Sequence, residues 1–366
     1  MQSLKLSKLQ VTNFRNLEKE VIQFGPGINC ILGENGNGKT NILEAVHVLI
    51  TRKSFRKNSS FPQFLSIDGD IPEIYFSSVF DGPEGSPFSF TGKWDSDRHE
   101  WYCDGRPTRK KPEVAVLFIN PFDSYSFHNT ASMRRTWFDQ HIGVLNPEYK
   151  KVLNKYNTAL RFRNALLSKK PSHFLEQIKA MDPELAKYSK ILTDSRKAFL
   201  LEIQSYCSGA FKEIFSEEHL LEIQLDSKVS GWSESQIYDL LQSNLQKDTL
   251  IGHTRYGVHK DDYTLLFDGL NSFDFCSLGQ QKMSYLSLLF AYIELFRYKF
   301  LSFPIVLIDD VSGELDKLRW SRLINYLEHS HFQVLITTAN EKFKEELEKI
   351  DGAKRIYVDS GSVSIQ

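Results

Sequence analysis

The chain has 366 residues, more than one hydrophobic core usually serves, so two domains or one large domain with an insertion is expected. Its 45 Lys and Arg against 46 Asp and Glu leave a net charge of −1, which excludes a uniformly basic nucleic-acid coat but not a segregated basic face. With 41% hydrophobic and 25% charged residues it reads as an ordinary globular protein, not a disordered one.

The first residues carry no apolar signal core, so no export is expected. Residues 4–14 alternate polar and apolar at period two, which predicts a strand. Pro26 and Gly27 mark a turn, residues 28–32 form a short apolar strand, and residues 41–49 have helical spacing. Residues 60–118 mix turn residues with aromatic strand formers and end in the apolar run 114–118. After Pro121 the period changes. Residues 130–250 read as helical, with breaks expected at Ser168-Lys169-Lys170-Pro171 and around Met181-Asp182-Pro183. Strand signals return at 264–267, 305–308, 333–337 and 355–358, and the helical stretches between them predict a largely parallel sheet near the C-terminus. The longest apolar stretch, 285–296, is interrupted by Glu294; it is too short for a membrane span and reads as a buried helix. Cys30, Cys103, Cys207 and Cys276 lie far apart without a C-x-x-C pair, so neither a disulfide framework nor a zinc site is expected, and a reducing cytoplasm fits.

Gly33-Glu34-Asn35-Gly36-Asn37-Gly38-Lys39-Thr40 fits G-x-x-x-x-G-K-[ST] at every position, with an apolar strand entering and an amphipathic helix leaving. Glycines let successive N–H groups face phosphate oxygens at the positive end of the next helix. In such a loop Lys39 contacts the β- and γ-phosphates and the Thr40 hydroxyl ligates Mg²⁺. A second element is the apolar strand 303–308 ending in Asp309-Asp310. Paired acids there repel unless a cation or proton lies between them. Asp309 suits Mg²⁺ coordination, directly or through water, and Asp310 suits a general base for the attacking water; an Asp-Asp helix cap is the plainer alternative. The third element, Ser277-Leu278-Gly279-Gln280-Gln281 before the helix from Met283, is by itself a helix cap. Placed between a P-loop and an Asp-Asp strand, it reads as another anion site.

These residues resemble the ABC-type, SMC-like ATPase heads, and within them the RecF family. Asn13-Phe14-Arg15-Asn16 precedes the P-loop, Thr40-Asn41-Ile42-Leu43-Glu44-Ala45 follows it, and Ser54-Phe55-Arg56 comes after that helix. Arg134-Arg135, Phe138-Asp139 and Gly257-Val258-His259-Lys260-Asp261-Asp262 match further family stretches. Departures are Phe122 where an acid is usual, Lys260 for the usual Arg, and Thr337-Thr338 where many ABC ATPases carry a γ-phosphate-sensing His. The resemblance implies an α/β ATPase head with an inserted α-helical lobe: residues 1–122 as its N-terminal part with the P-loop, 123–249 as the lobe, and 250–366 as its C-terminal part with the signature and Walker B motifs. It further implies ATP and Mg²⁺ as cofactors, with Arg15, Asn41, Ser277, Gly279 and Gln280 joining the P-loop in binding nucleotide and Asp310, Lys39 and Ser277 in catalysis. An ATP-dependent homodimer, double-stranded and single-strand/double-strand junction DNA, the RecR and RecO proteins, a role in the damage response and a weak, DNA-stimulated ATPase belong to the same expectation, with no membrane.

The inserted stretch is about 120 residues, and a helix over 147–168 is only about 33 Å long, so a compact lobe is expected and not a coiled-coil arm. That separates the chain from an SMC-like structural head; a transporter ATPase subunit would carry a much shorter insert, and an ATPase-coupled nuclease a further acidic domain. DNA contact must come from local charge. The candidates are Arg52, Lys53, Arg56 and Lys57, and Lys150, Lys151, Lys155, Arg161 and Arg163, the latter in a stretch that also holds Lys169 and Lys170 against one acid, Glu148. No base-reading motif appears, so recognition by DNA structure is expected.

Overall fold

The computed structural model describes residues 4–56, 59, 61–66, 72–82, 86–96, 98–215, 218–310, 316–338 and 340–365. The chain divides into two units: Met1–Asp123 with Glu213–Phe215 and Phe296–Gln366, and Ser124–Lys212 with Ser216–Leu295.

The first unit opens with β1 (Lys5–Phe14), β2 (Leu17–Gln23), β3 (Ile28–Leu32), α1 (Lys39–Thr51), α2 (Phe61–Phe64), β4 (Ile74–Asp81), β5 (Pro87–Trp94), β6 (His99–Cys103), β7 (Arg106–Pro107) and β8 (Val116–Ile119). In β1 the side chains of Leu9 and Val11 are buried between more exposed neighbours, the period-two pattern of a sheet covered on one face. β1, β2 and β4–β7 form an antiparallel sheet in the order β2-β1-β4-β5-β6-β7. Every residue of β3 is buried, as a central parallel strand requires. Its one polar residue, Asn29, is satisfied by bonds to the Gly25, Gly27 and Val334 carbonyls and the Gly25 N–H.

From α3 (Pro121–Asn129) the chain runs through α4 (Ala131–Leu145), α5 (Pro147–Lys169), α6 (Phe174–Ile214), β9 (Leu221–Asp226), α7 (Glu234–Ser243), α8 (Leu245–Ile251), β10 (Asp262–Phe267), β11 (Leu270–Asn271), α9 (Ser272–Phe275) and α10 (Leu278–Phe300). α5 ends on Lys170 in the left-handed conformation, before Pro171, where a break is expected from sequence. The second expected break does not occur: α6 continues through Pro183 for 41 residues. Ile178, Leu185, Ala186 and Asp182 are all buried around it, and Asp182 is locked to Arg163, so packing outweighs the one lost helical bond. Residues 221–226, expected as helix, form β9; their Leu-Glu-Ile-Gln-Leu-Asp order is a two-residue alternation. β10, expected in the parallel sheet, pairs antiparallel with β9 and β11 in a sheet of its own. Residues 250–295 consequently group with the helical unit, whereas the sequence places the return to the ATPase part at 250.

The first unit resumes with β12 (Ile305–Ile308), α11 (Lys317–Glu328), β13 (Val334–Thr337), α12 (Glu341–Glu348), β14 (Lys354–Asp359) and β15 (Ser362–Ile365). Its second sheet has the order β15-β14-β3-β13-β12-β8, parallel except for β15. β12 and β13 are fully buried apolar strands. This order places β13 between the strand that enters the P-loop and the strand that ends in Asp309-Asp310. Among the described residues no helix is long and apolar enough to cross a membrane.

Candidate phosphate-binding site

The loop after β3 is shaped by its glycines. A Cβ on Gly33 would stand 2.2 Å from the Val358 carbonyl oxygen, so no side chain fits where β3 meets β14. Gly38 caps α1 at φ 106°, and a Cβ there would strike the Asn16 side chain. Asn16 donates to the Asn37 carbonyl (3.0 Å) and accepts from the Asn41 amide (2.7 Å), while the Gly361 N–H donates to the same Asn37 carbonyl (2.9 Å). The loop is thus tied on one side to the β1–β2 turn and on the other to the β14–β15 turn. Preorganised in this way, it presents the N-terminus of α1 to an anion.

Lys39 is buried, its ammonium donating to the Gly33 (2.6 Å) and Glu34 (2.8 Å) carbonyls. Burial holds its pKa below the ordinary lysine value, and the charges of Asp310 and Asp309 pull it back up. The Thr40 hydroxyl donates to Asp309, 2.9 and 3.1 Å from its two carboxylate oxygens. Thr337 reaches the same carboxylate from β13, its hydroxyl 2.8 Å from Oδ1. Burial raises the Asp309 pKa; the Thr337 and Thr40 hydrogen bonds lower it, and the neighbouring Asp310 charge raises it. Asp310 sits in the left-handed region, φ 46°, its N–H directed at the Thr337 carbonyl (3.2 Å) and hydroxyl (3.1 Å). Folding therefore gathers the P-loop, both acids and Thr337 at one end of the parallel sheet. Oxygen donors from a hydroxyl and a carboxylate, side by side at the mouth of a phosphate loop, suit Mg²⁺, which keeps waters and takes one or two protein ligands beside phosphate oxygens.

Arg15 forks onto Glu44, its Nε and Nη2 3.0 and 2.9 Å from the two carboxylate oxygens. Glu44 is fully buried and also receives the Ser54 hydroxyl and an ion pair from Arg56, which in turn donates to the Asn41 Oδ1 at 2.7 Å. Arg15 and Asn41 are thus engaged in a network that braces the loop and α1. Sequence reading passes over Glu44 and Asn16 as site builders. The signal for Glu44 is an acid among the buried apolar residues Ile42, Leu43, Ala45 and Val46.

Ser277, Gly279 and Gln280 lie in the second unit at the start of α10. Ser277 and Gln280 cap each other: the Gln280 side-chain oxygen accepts from the Ser277 N–H (2.9 Å) and hydroxyl (3.1 Å), and the Gln280 N–H donates to the Ser277 oxygen (3.3 Å). Gln281, buried behind them, donates to the Ser272, Phe273 and Cys276 carbonyls and fixes the preceding loop.

The model of the AAA domain family matches residues 8–355. The DNA replication and repair protein RecF of Clostridioides difficile (strain 630) is 29% identical over 93% of both chains, and that of Staphylococcus aureus (strain JH9) is 26% identical over 98% of this chain and all of its own. This chain belongs to the AAA domain family, in its RecF branch. Solved structures agree: the recombination mediator protein RecF in the RecFOR pathway, with ATP, superposes at TM-score 0.81 and 25% identity over 100% of this chain and 99% of its own. An Smc head domain from Pyrococcus furiosus shares the fold at TM-score 0.59 and 14% identity, covering 99% and 96% of the two chains. The expected ABC-type, SMC-like head is therefore the observed fold.

Within this RecF-type chain the basic candidates separate. Lys150, Lys151, Lys155 and Arg161 are exposed along α5. Arg163 is not: it is fully buried, bonded to Asp182 (2.8 Å), Asp248 (2.8 Å) and Thr254 (2.8 Å), so it holds the helical unit together and cannot contact DNA. Arg52 donates to the Arg109 and Lys110 carbonyls and lies over the Trp101 ring. Arg56 is committed to Glu44 and Asn41, Lys53 is exposed, and Lys57 lies outside the described residues. The family-like stretches of the second unit meet in ion pairs: buried Arg196 with Asp139 (2.8 Å) and Asp261 (2.6 Å), and the partly exposed pair Arg134 and Asp262 (2.7 Å).

Proposed function

We propose that this chain is an ATP-switched DNA-binding protein of replication and repair, acting in the cytoplasm. Two copies close over two ATP molecules and hold double-stranded, gapped or junction DNA, and slow hydrolysis releases it. Partners of the RecR and RecO type and recombinase loading come from the resemblance, supported by solved relatives described as belonging to the RecFOR pathway. The observation that carries the reading is the Thr40–Asp309 contact, which joins residues 269 apart in sequence at the mouth of the loop.

In this reading the Lys39 ammonium exchanges the Gly33 and Glu34 carbonyls for β- and γ-phosphate oxygens. Thr40 and Asp309 hold Mg²⁺, which when bound neutralises charge on those phosphates. The Asp310 carboxylate takes a proton from the attacking water. An Asp in that role, shorter than the Glu common in ABC ATPases, favours modest turnover. Ser277 and the N-terminus of α10 meet the γ-phosphate held by the second copy. The surroundings of Ser277 support this: Phe275 and Leu278 flank it, 67% and 59% exposed, an apolar rim that a second chain would cover. The test is the ATPase rate with and without gapped duplex DNA. The reading expects stimulation by DNA; a rate indifferent to DNA, with no ATP-dependent DNA retention, would contradict it.

A further inference from the structure

We propose that Thr337 is a positioning residue for hydrolysis, setting the spacing between the metal-side carboxylate Asp309 and the base Asp310; this rests on the nucleotide reading above. Three observations carry it. Thr337 is the last residue of β13, the strand lying between the P-loop strand β3 and the acidic strand β12, with Thr337 paired to Ile31 and Ile336 to Ile308. The residue is 2% exposed, so water competes little for its bonds. Its single hydroxyl makes two different contacts: the proton goes to Asp309 Oδ1 at 2.8 Å, and an oxygen lone pair accepts the Asp310 N–H at 3.1 Å.

One hydroxyl therefore holds a side chain on one acid and, sharing the Asp310 N–H with the Thr337 carbonyl (3.2 Å), helps to hold the backbone of the next. Asp310 needs this, because a non-glycine residue at φ 46° persists only where its surroundings hold it. Asp309 needs it as well. Thr40 is its other hydroxyl partner, and the Thr40 oxygen is the one that would turn a lone pair to the metal. Thr337 keeps the carboxylate aimed while Thr40 serves the ion. The bond is charge-assisted and shielded, the kind whose removal is felt most.

The test compares Thr337→Val, which keeps the β-branch a buried strand favours, with Thr337→Ala and Thr337→Ser. Binding of a fluorescent ATP analogue is titrated with Mg²⁺, and hydrolysis of ATP is followed in a single turnover. Val and Ala should each need roughly tenfold more Mg²⁺ for half-maximal binding and hydrolyse roughly tenfold more slowly, with unchanged affinity in the absence of Mg²⁺. Ser should behave within twofold of the parent. Val and Ala indistinguishable from the parent, a shift in one of the two alone, or Ser failing along with them would overturn the role of Thr337. A parent protein without Mg²⁺-dependent nucleotide binding would instead bring down the nucleotide reading itself.

Discussion

At Lys39 the same ammonium that closes the loop on itself is the group a phosphate would recruit, so removing it should cost ligand and not fold. Lys39→Ala is expected to abolish tight ATP binding while the melting temperature without nucleotide stays within a few degrees, checked by calorimetry and thermal melting. Asp309 and Asp310 differ by what holds them: two hydroxyls grip the first carboxylate, whereas the second is placed through its backbone. Asp310→Asn should retain Mg²⁺–ATP and lose single-turnover hydrolysis, and Asp309→Asn should lose metal dependence; the reverse pattern would exchange the roles. Arg163 is the opposite case, a cation whose partners are all interior. Arg163→Ala leaves two buried carboxylates uncompensated at a cost of about 3–5 kcal/mol, so melting should fall by roughly 10 °C. His128 gives the helical unit a pH dependence. Burial pushes its pKa down to about 4, and its Nε2 has no hydrogen-bond partner among the described residues. A folded pKa below the unfolded value of about 6.5 means the unfolded chain binds the extra proton, so this contribution is complete above pH 6.5 and is lost as pH falls toward 4. The melting temperature should drop across that window, and His128→Phe should make the drop shallower; an equally steep drop in the variant would assign it to other groups.

α5 shows how one element sorts its charges. Tyr149, Val152, Tyr156, Leu160, Arg163 and Leu167 form its buried stripe, and Lys150, Lys151, Lys155 and Arg161 fall outside it. The three-and-four spacing of that stripe is legible in the sequence and places Arg163 inside; charge density alone, without the helical period, does not separate it from the four exposed cations. Neutralising the four exposed cations should weaken duplex binding and reduce the log–log salt slope by roughly 0.9 for each phosphate left without its cation. An unchanged slope would mean that this face is only solvated. Elsewhere legibility followed the strength of the local pattern. β3, β12 and β13 were plain because buried parallel strands are continuous apolar runs, and the P-loop because its chemistry dictates its glycines. β9 is hard to read because its six alternating residues lie inside a long helical stretch, and the run through Pro183 because packing against distant residues, Arg163 among them, decides it. The bonds of Thr337, spanning 28 residues to Asp309, exist only after strand order is fixed.

On the scale of the whole molecule, the phosphate loop with its two acids belongs to one unit and the signature turn to the other, each a surface suited to one side of a nucleotide. In the proposed dimer, two copies sandwiching two ATP molecules would complete both, and a diphosphate, lacking the γ-phosphate, would give the Ser277 surface nothing to hold. Light scattering of the parent protein and Ser277→Arg, with Mg²⁺ and either ATP or ADP, tests this most directly. The account predicts that ATP, but not ADP, doubles the mass of the parent, while the variant binds ATP and stays monomeric. A variant that dimerises on ATP as the parent does, or a parent that remains monomeric at saturating ATP, would contradict it.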